Sequence, residues 1–217
     1  EELAIQNNSI LEKKMIPRIE QKLEVNKHHY LDLLKWINNN GGKVLYPERT
    51  ICSRYFDNNN MQMYFDTVEG LIPRKKIRIR TYGSDDFISS NNQYSLEIKL
   101  SNEHCRFKKT NSNIKVGSLL KDGYFDNSYG ICKQLIDVSY VREYFIVKNI
   151  RVTIDKEIKY RLINLNNNFK KLLFEDQSYV FEIKADIDTN LSYLLNNFDF
   201  PRSRFSKYER ALDSLLK

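Results

Sequence analysis

Cysteine is scarce in this chain: Cys52, Cys105 and Cys132 are widely spaced and odd in number. That excludes a disulfide framework and a zinc knuckle, and it fits a reducing compartment such as the cytoplasm. His28, His29 and His104 lack metal-ligand spacing and carry no assigned role. Glycine and proline are also few, at 7 and 4, and no Pro- or Gly-rich linker divides the chain. No repeat of solenoid length occurs. A Walker-type glycine loop, a Gly-x-Ser-x-Gly elbow and a cysteine–histidine pair are all missing, so chemistry built on those devices is not indicated. No apolar run approaches the roughly 18 residues of a membrane span. Glu1 to Asn8 is too polar for a secretory signal. The segment begins with Glu, so a membrane-bound or accessory region beyond it stays open.

What remains is charge and strand patterning. The 217 residues carry 35 Lys plus Arg against 28 Asp plus Glu, a formal net charge of +7. An excess of that sign favours a polyanionic partner: nucleic acid, phosphate chains or an anionic surface. The length suits one domain spanning 1–217, because all-β barrels often reach this size undivided.

A period of two recurs along the chain. In Lys76-Ile-Arg78-Ile-Arg80-Thr-Tyr82 the apolar residues fall on one strand face and Lys76, Arg78, Arg80 and Tyr82 on the other. The same alternation runs through 95–100, 150–155 and 179–184, and more weakly through Arg18 to Val25 and 106–108. The stretches 51–57 and 138–146 are rich in β-branched and aromatic residues and also read as strands. Helical spacing appears at His28 to Asn40, which ends before Gly41-Gly42, and at Leu191 to Phe198 and Ser206 to Leu216. Trp36 reads as outer core, and Tyr124 to Tyr129 as a polar loop. About eight strands and three or four helices make an α+β protein dominated by antiparallel sheet.

Strand pattern alone leaves two orientations open. The charged faces can point into water, as in most half-buried sheets. Alternatively they line the inside of a barrel with helices covering the apolar outside. A charged interior is costly when dry, so it makes sense only as a wet passage for an anion.

The ordered set Arg18-Ile-Glu20-Gln-Lys22, Tyr55-Phe-Asp57, Lys75-Lys-Ile-Arg78-Ile-Arg80-Thr-Tyr82-Gly83, Glu97-Ile-Lys99, Tyr140-Val-Arg142, Arg151-Val-Thr-Ile-Asp155, Glu182-Ile-Lys184 and Arg204-Phe-Ser206-Lys207-Tyr208 resembles the VTC domain of polyphosphate polymerases. That domain lies within the CYTH-like triphosphate tunnel metalloenzymes. The resemblance implies a closed eight-stranded antiparallel β-barrel with a few helices packed outside. It implies transfer of the γ-phosphoryl group of ATP to a growing polyphosphate chain, with a divalent metal, Mn²⁺ or Mg²⁺. By motif position, Lys22, Arg78, Arg80, Lys99, Arg142, Arg151 and Lys207 become catalytic. Lys108, Tyr140, Arg204 and Ser206 bind substrate, with Arg106 or Lys109 as alternatives to Lys108. Glu182 becomes the metal ligand. Related hydrolases open with Glu-x-Glu-x-Lys where this chain has Arg18, which favours the polymerase. A triphosphatase and a non-catalytic polyphosphate- or nucleic-acid-binding module are the alternatives. The expected partners are ATP and inorganic polyphosphate; nucleic acid is disfavoured, and a membrane-protein partner that would hold the chain at a membrane is left open.

Overall fold

A computed structural model of the chain describes residues 18–84, 87, 93–103, 106–163, 173–186, 189 and 205–216. The chain order is β1 (Arg18–Val25), α1 (Lys27–Asn39), β2 (Lys43–Asp57), α2 (Gln62–Val68), β3 (Arg74–Tyr82), β4 (Ser95–Ser101), β5 (Arg106–Asn111), α3 (Val116–Asp122), β6 (Tyr124–Asp126), β7 (Gly130–Val147), β8 (Ile150–Leu162), β9 (Leu173–Asp176), β10 (Tyr179–Asp186) and α4 (Lys207–Leu216). Every stretch read as a strand lies in one, and β1 runs from Arg18 to Val25 as the alternation indicated. Tyr124 to Asp126, expected in a loop, is instead a short strand paired with β7. The helix expected at 191–198 lies outside the described residues.

Among the described residues the strands form one antiparallel sheet of ten, in the order β1-β10-β8-β7-β2-β3-β4-β5, with β6 on β7 and β9 on β8. This overturns the closed eight-stranded barrel. β1 and β5 end the path, and among the described residues no ladder joins them. Charge accounts for the open seam. Lys108 and Lys109 stand exposed on β5, and β1 carries Lys22. Lysine-bearing edges are poor templates for pairing.

The sheet nevertheless curls. Lys22 on β1 and Lys99 on β4 lie far apart in strand order, yet they are close enough to repel each other. The residues opening α4 touch both arms of the curve: Ser206 accepts from Lys76 of β3, and Lys207 donates to Asp155 of β8.

Register fixes which side each residue shows. Lys22 pairs with Glu182, Glu182 with Thr153, Arg142 with Asp155, Arg80 with Ser53, and Arg78 with Tyr55 and Glu97. All of these share the concave face. The alternate residues of β1, β8 and β10, among them Leu23, Val152, Ile154, Phe181 and Ile183, bury against Leu33, Trp36 and Ile37 of α1 on the convex side. The inward orientation is therefore the observed one, and Trp36 belongs to this outer core.

Helix α1 starts where Asn26 accepts from the His29 amide at 3.0 Å. It stops at Gly41, whose φ of +71° suits glycine, and at Gly42, where a Cβ would sit 2.6 Å from the Ile37 carbonyl oxygen. Not all helices lie outside. Tyr208 of α4 stacks on Tyr55 with ring centroids 5.0 Å apart and donates to the buried Asp57. With Ala211, Leu212 and Leu215 it packs into the concave face, filling the end of the trough near the start of β3. Among the described residues no helix is long and apolar enough to cross a membrane.

Candidate functional site

Above α4 the concave face is charged. Glu97, only 1% exposed, accepts from Arg78 Nε at 2.8 Å and from Lys108 Nζ, with Arg80 Nη1 at 3.6 Å. Burial alone would raise its pKa, but Arg78 and Arg80 hold it down at about 2. Arg78 also donates to the Tyr55 hydroxyl at 2.7 Å, and Arg80 to Ser53 and Tyr140, each at 3.2 Å. These bonds aim both guanidinium groups along the trough.

A second centre forms around Asp155, also 1% exposed. Arg142 grips it as a fork, with Nη2 at 2.7 Å, and Lys207 donates from α4. Burial opposes the charge on Asp155, yet Lys207 and Arg142 keep its pKa below the usual range. Lys207 sits 4.6 Å from the Tyr140 ring centroid, and Arg142 lies 5.3 Å from it. Burial raises the Tyr140 phenol, but Arg80, Arg142 and Lys207 more than reverse this.

A third centre holds Glu182, with Lys184 at 2.9 Å and Arg142 at 3.6 Å. Burial raises its pKa, and Lys22, Lys184 and Arg142 bring it well below normal. Glu20, which pairs with Lys22 at 3.2 Å, lies close enough to act on Glu182. Two neighbouring carboxylates repel unless positive charge lies near them. Among the described residues no group of three or more His, Cys, Asp or Glu gathers. Glu182 with Glu20 does fit a Mg²⁺-type ion, which takes one or two carboxylates and completes its shell with water and phosphate oxygens.

Positive charge is left in surplus. Lys99 opens to solvent inside the trough, and Arg78, partial desolvation, Lys22 and Arg80 push its pKa down to about 6. Lys76 is lowered to about 7, first by burial and then by Lys22, Arg74 and Arg78. A face that crowds cations against one another is prepared for an anion.

The structure thus gathers Lys22, Arg78, Arg80, Lys99, Arg142, Lys207, Tyr140, Ser206 and Glu182 on one face, with Lys108 reaching it from the edge. Arg151 shares that face but is exposed near the mouth, over Tyr144 at 5.7 Å. Arg204 lies outside the described residues. Lys76, Glu20, Lys184, Ser53 and Tyr55 also belong to the site without having been assigned to it. Lys76 was legible, since it alternates in step with Arg78 and Arg80. Ser53 and Tyr55 were not, because only the ladder to β3 brings them beneath those arginines.

The VTC domain profile matches residues 17–216. The chain belongs to the VTC domain family. No curated protein sequence matches this VTC domain. Among solved structures it is similar to a candidate adenylate cyclase from Vibrio parahaemolyticus, at 14% identity and TM-score 0.52, over 90% of this chain and 97% of that one. It is also similar to HpAC1, a candidate adenylyl cyclase from Hippeastrum with a dominant triphosphatase activity, at 14% identity and TM-score 0.54, over 93% of this chain and 98% of that one. These likenesses place the VTC domain's fold beside theirs.

Proposed function

We propose that this VTC domain is a polyphosphate polymerase that binds ATP along its basic trough and passes the γ-phosphoryl group to a polyphosphate chain. The observation that carries the reading is the crowding of Lys99, Lys22, Arg78 and Arg80 on one face, in excess of the Glu97 and Glu20 carboxylates that pair with them, with Lys99 pushed down to about 6. A phosphate chain relieves that repulsion along its whole length. Arginine suits the work because its planar fork gives two parallel hydrogen bonds to phosphate oxygens and does not titrate away.

In the reaction a terminal oxygen of the chain attacks the γ-phosphorus, the bond from that phosphorus to the β,γ-bridging oxygen breaks, and ADP leaves. Phosphoryl transfer asks mainly for alignment and for stabilisation of charge on the transferred group. Arg80 and Arg142 stand on the concave face, held by Tyr140 and Asp155, and Lys207 adds charge from α4. No side chain needs to act as a nucleophile. Glu182, with Glu20, would hold the Mg²⁺ or Mn²⁺, which when bound supplies charge neutralisation at the phosphate oxygens.

One observation favours hydrolysis instead. Helix α4 fills one end of the trough, which narrows the route for a product chain. A triphosphatase needs no such route. The third possibility, a module that holds polyphosphate without turnover, makes no use of Glu182.

Incubation with ATP and Mn²⁺, followed by measurement of ADP, free phosphate and long chains on a gel, separates the three. ADP with polymer supports the polymerase. Equal ADP and free phosphate without polymer overturns it in favour of hydrolysis, and tight polyphosphate binding with no ADP overturns it in favour of the module.

A further inference from the structure

At the mouth opposite α4 the concave face changes character. One step beyond Arg80 on β3 stands Tyr82, and beyond Arg142 on β7 stands Tyr144. Tyr46 of β2 pairs with Tyr144 in register, and their rings meet edge to face at 5.8 Å. Arg49 lies 5.6 Å from the Tyr46 centroid and Arg151 lies 5.7 Å from that of Tyr144. Tyr144 is buried, whereas Tyr46 and Tyr82 are each 46% exposed. Tyr82 pairs with Ile51, which pairs with Tyr140, so it joins from β3 a step further in than Tyr46 and Tyr144, and with Arg49 it lies near enough to act on the Tyr144 phenol.

Phosphate recognition does not require this composition. A chain of phosphates is met by cations and hydroxyl groups, as deeper in the trough, and gains little from half-exposed aromatic rings. Interleaved tyrosine and arginine instead suit a flat, π-rich group, which stacks on phenol faces and under guanidinium planes. The position fits as well. A nucleoside triphosphate carries its base at one end and its phosphates at the other. Arg80 and Arg142 are the next charged groups inward along β3 and β7.

We propose that Tyr46 and Tyr82, supported by Tyr144 with Arg49 and Arg151, seat the nucleobase of a nucleoside triphosphate whose phosphates run inward past Arg80 and Arg142. This rests on the reading of the trough as a triphosphate site and adds to it a direction: base at the open mouth, γ-phosphate towards Lys99 and α4. Stacking uses the π face that every base has, so the seat favours purines over pyrimidines without reading base edges.

Calorimetric titration of ATP and of inorganic tripolyphosphate into the wild-type protein, Tyr46→Ala and Tyr82→Ala tests the assignment. Both tyrosines are half exposed, so both variants are expected to fold, and circular dichroism checks this. The expected result is an ATP affinity lowered by about tenfold in at least one variant, the loss of one base–aromatic stack, with tripolyphosphate affinity unchanged. Equal losses for both ligands, or no loss for either, overturn the nucleobase seat while leaving the phosphate trough standing. Failure of the wild-type protein to bind tripolyphosphate overturns the trough, and the seat with it.

Discussion

Lys76 Nζ donates to Ser206 Oγ at 2.7 Å, a bond between residues 130 positions apart in the chain. The next residue, Lys207, reaches Asp155 on the opposite arm of the sheet. The start of α4 is thus a strap between β3 and β8, and it holds two cations in the trough at a fixed spacing. It ties the stability of the fold to the geometry of the site.

The site's chemistry is expected to depend on Arg80 and Glu182. Arg80→Ala and Glu182→Ala should each reduce turnover by at least about 100-fold, as loss of a preorganised charge at a transferring group does. Far-ultraviolet circular dichroism should stay that of the wild type. Turnover at the wild-type rate in either variant would put the reacting phosphorus elsewhere.

Glu97 is expected to matter for folding as well. It is the buried counter-ion of Arg78, and it meets Arg80 and Lys108 too. Glu97→Gln leaves a buried guanidinium without its partner, at a cost of about 3–5 kcal/mol. Lys108→Ala removes a lysine whose side chain is 47% exposed, and such a pair contributes at most about 1 kcal/mol. Urea denaturation of the two variants should separate them clearly.

Ligand binding is expected to take up protons. Free Lys99, at about 6, and Lys76, at about 7, are mostly neutral near pH 8. A phosphate chain favours their ammonium forms, so binding draws protons from solvent and weakens as pH rises above 7. The linkage to stability has the matching sign. In the unfolded chain these lysines titrate near about 10.4. Between the folded and unfolded values the unfolded state binds more protons, and the stability of the free protein rises with pH. Below the folded values the repulsion is present in full. Calorimetry of tripolyphosphate in two buffers of different ionisation enthalpy should show uptake that shrinks in Lys99→Met. Identical heats in the two buffers would contradict it.

Tyr208 is expected to anchor α4. Its hydroxyl donates to Asp57, whose carboxylate also caps α2 by accepting from the Met63 and Tyr64 amides. Tyr208→Phe keeps the stacking on Tyr55 and removes one buried hydrogen bond. Thermal unfolding should show a loss of about 1–3 kcal/mol.

Much of this was legible in the sequence. The alternation of Lys76, Arg78 and Arg80, and of Glu182 and Lys184, fixed both the strands and the residues that share a face. The seam between β1 and β5 was not legible, because alternation sets a strand's sides and not whether its edges find a partner. The amphipathic pattern of Tyr208, Leu212 and Leu215 marked an apolar helix side but could not say which face of the sheet it meets. Helix α2 escaped notice for a local reason. It has seven residues, and its N-cap residue, Met61, is left-handed and makes no side-chain capping bond, the cap coming instead from Asp57 at the end of β2. The group of Tyr46, Tyr82 and Tyr144 comes from three strands, and the irregular register of β2 around Tyr46 hides it from any periodic reading.

A crystal structure of the protein with tripolyphosphate and Mn²⁺ tests the central claim most directly. The account predicts phosphate oxygens within hydrogen-bond distance of Arg80, Arg142 and Lys99, and the metal against Glu182. Phosphate bound on the convex side, or at the edge of β5 with the trough empty, would contradict it.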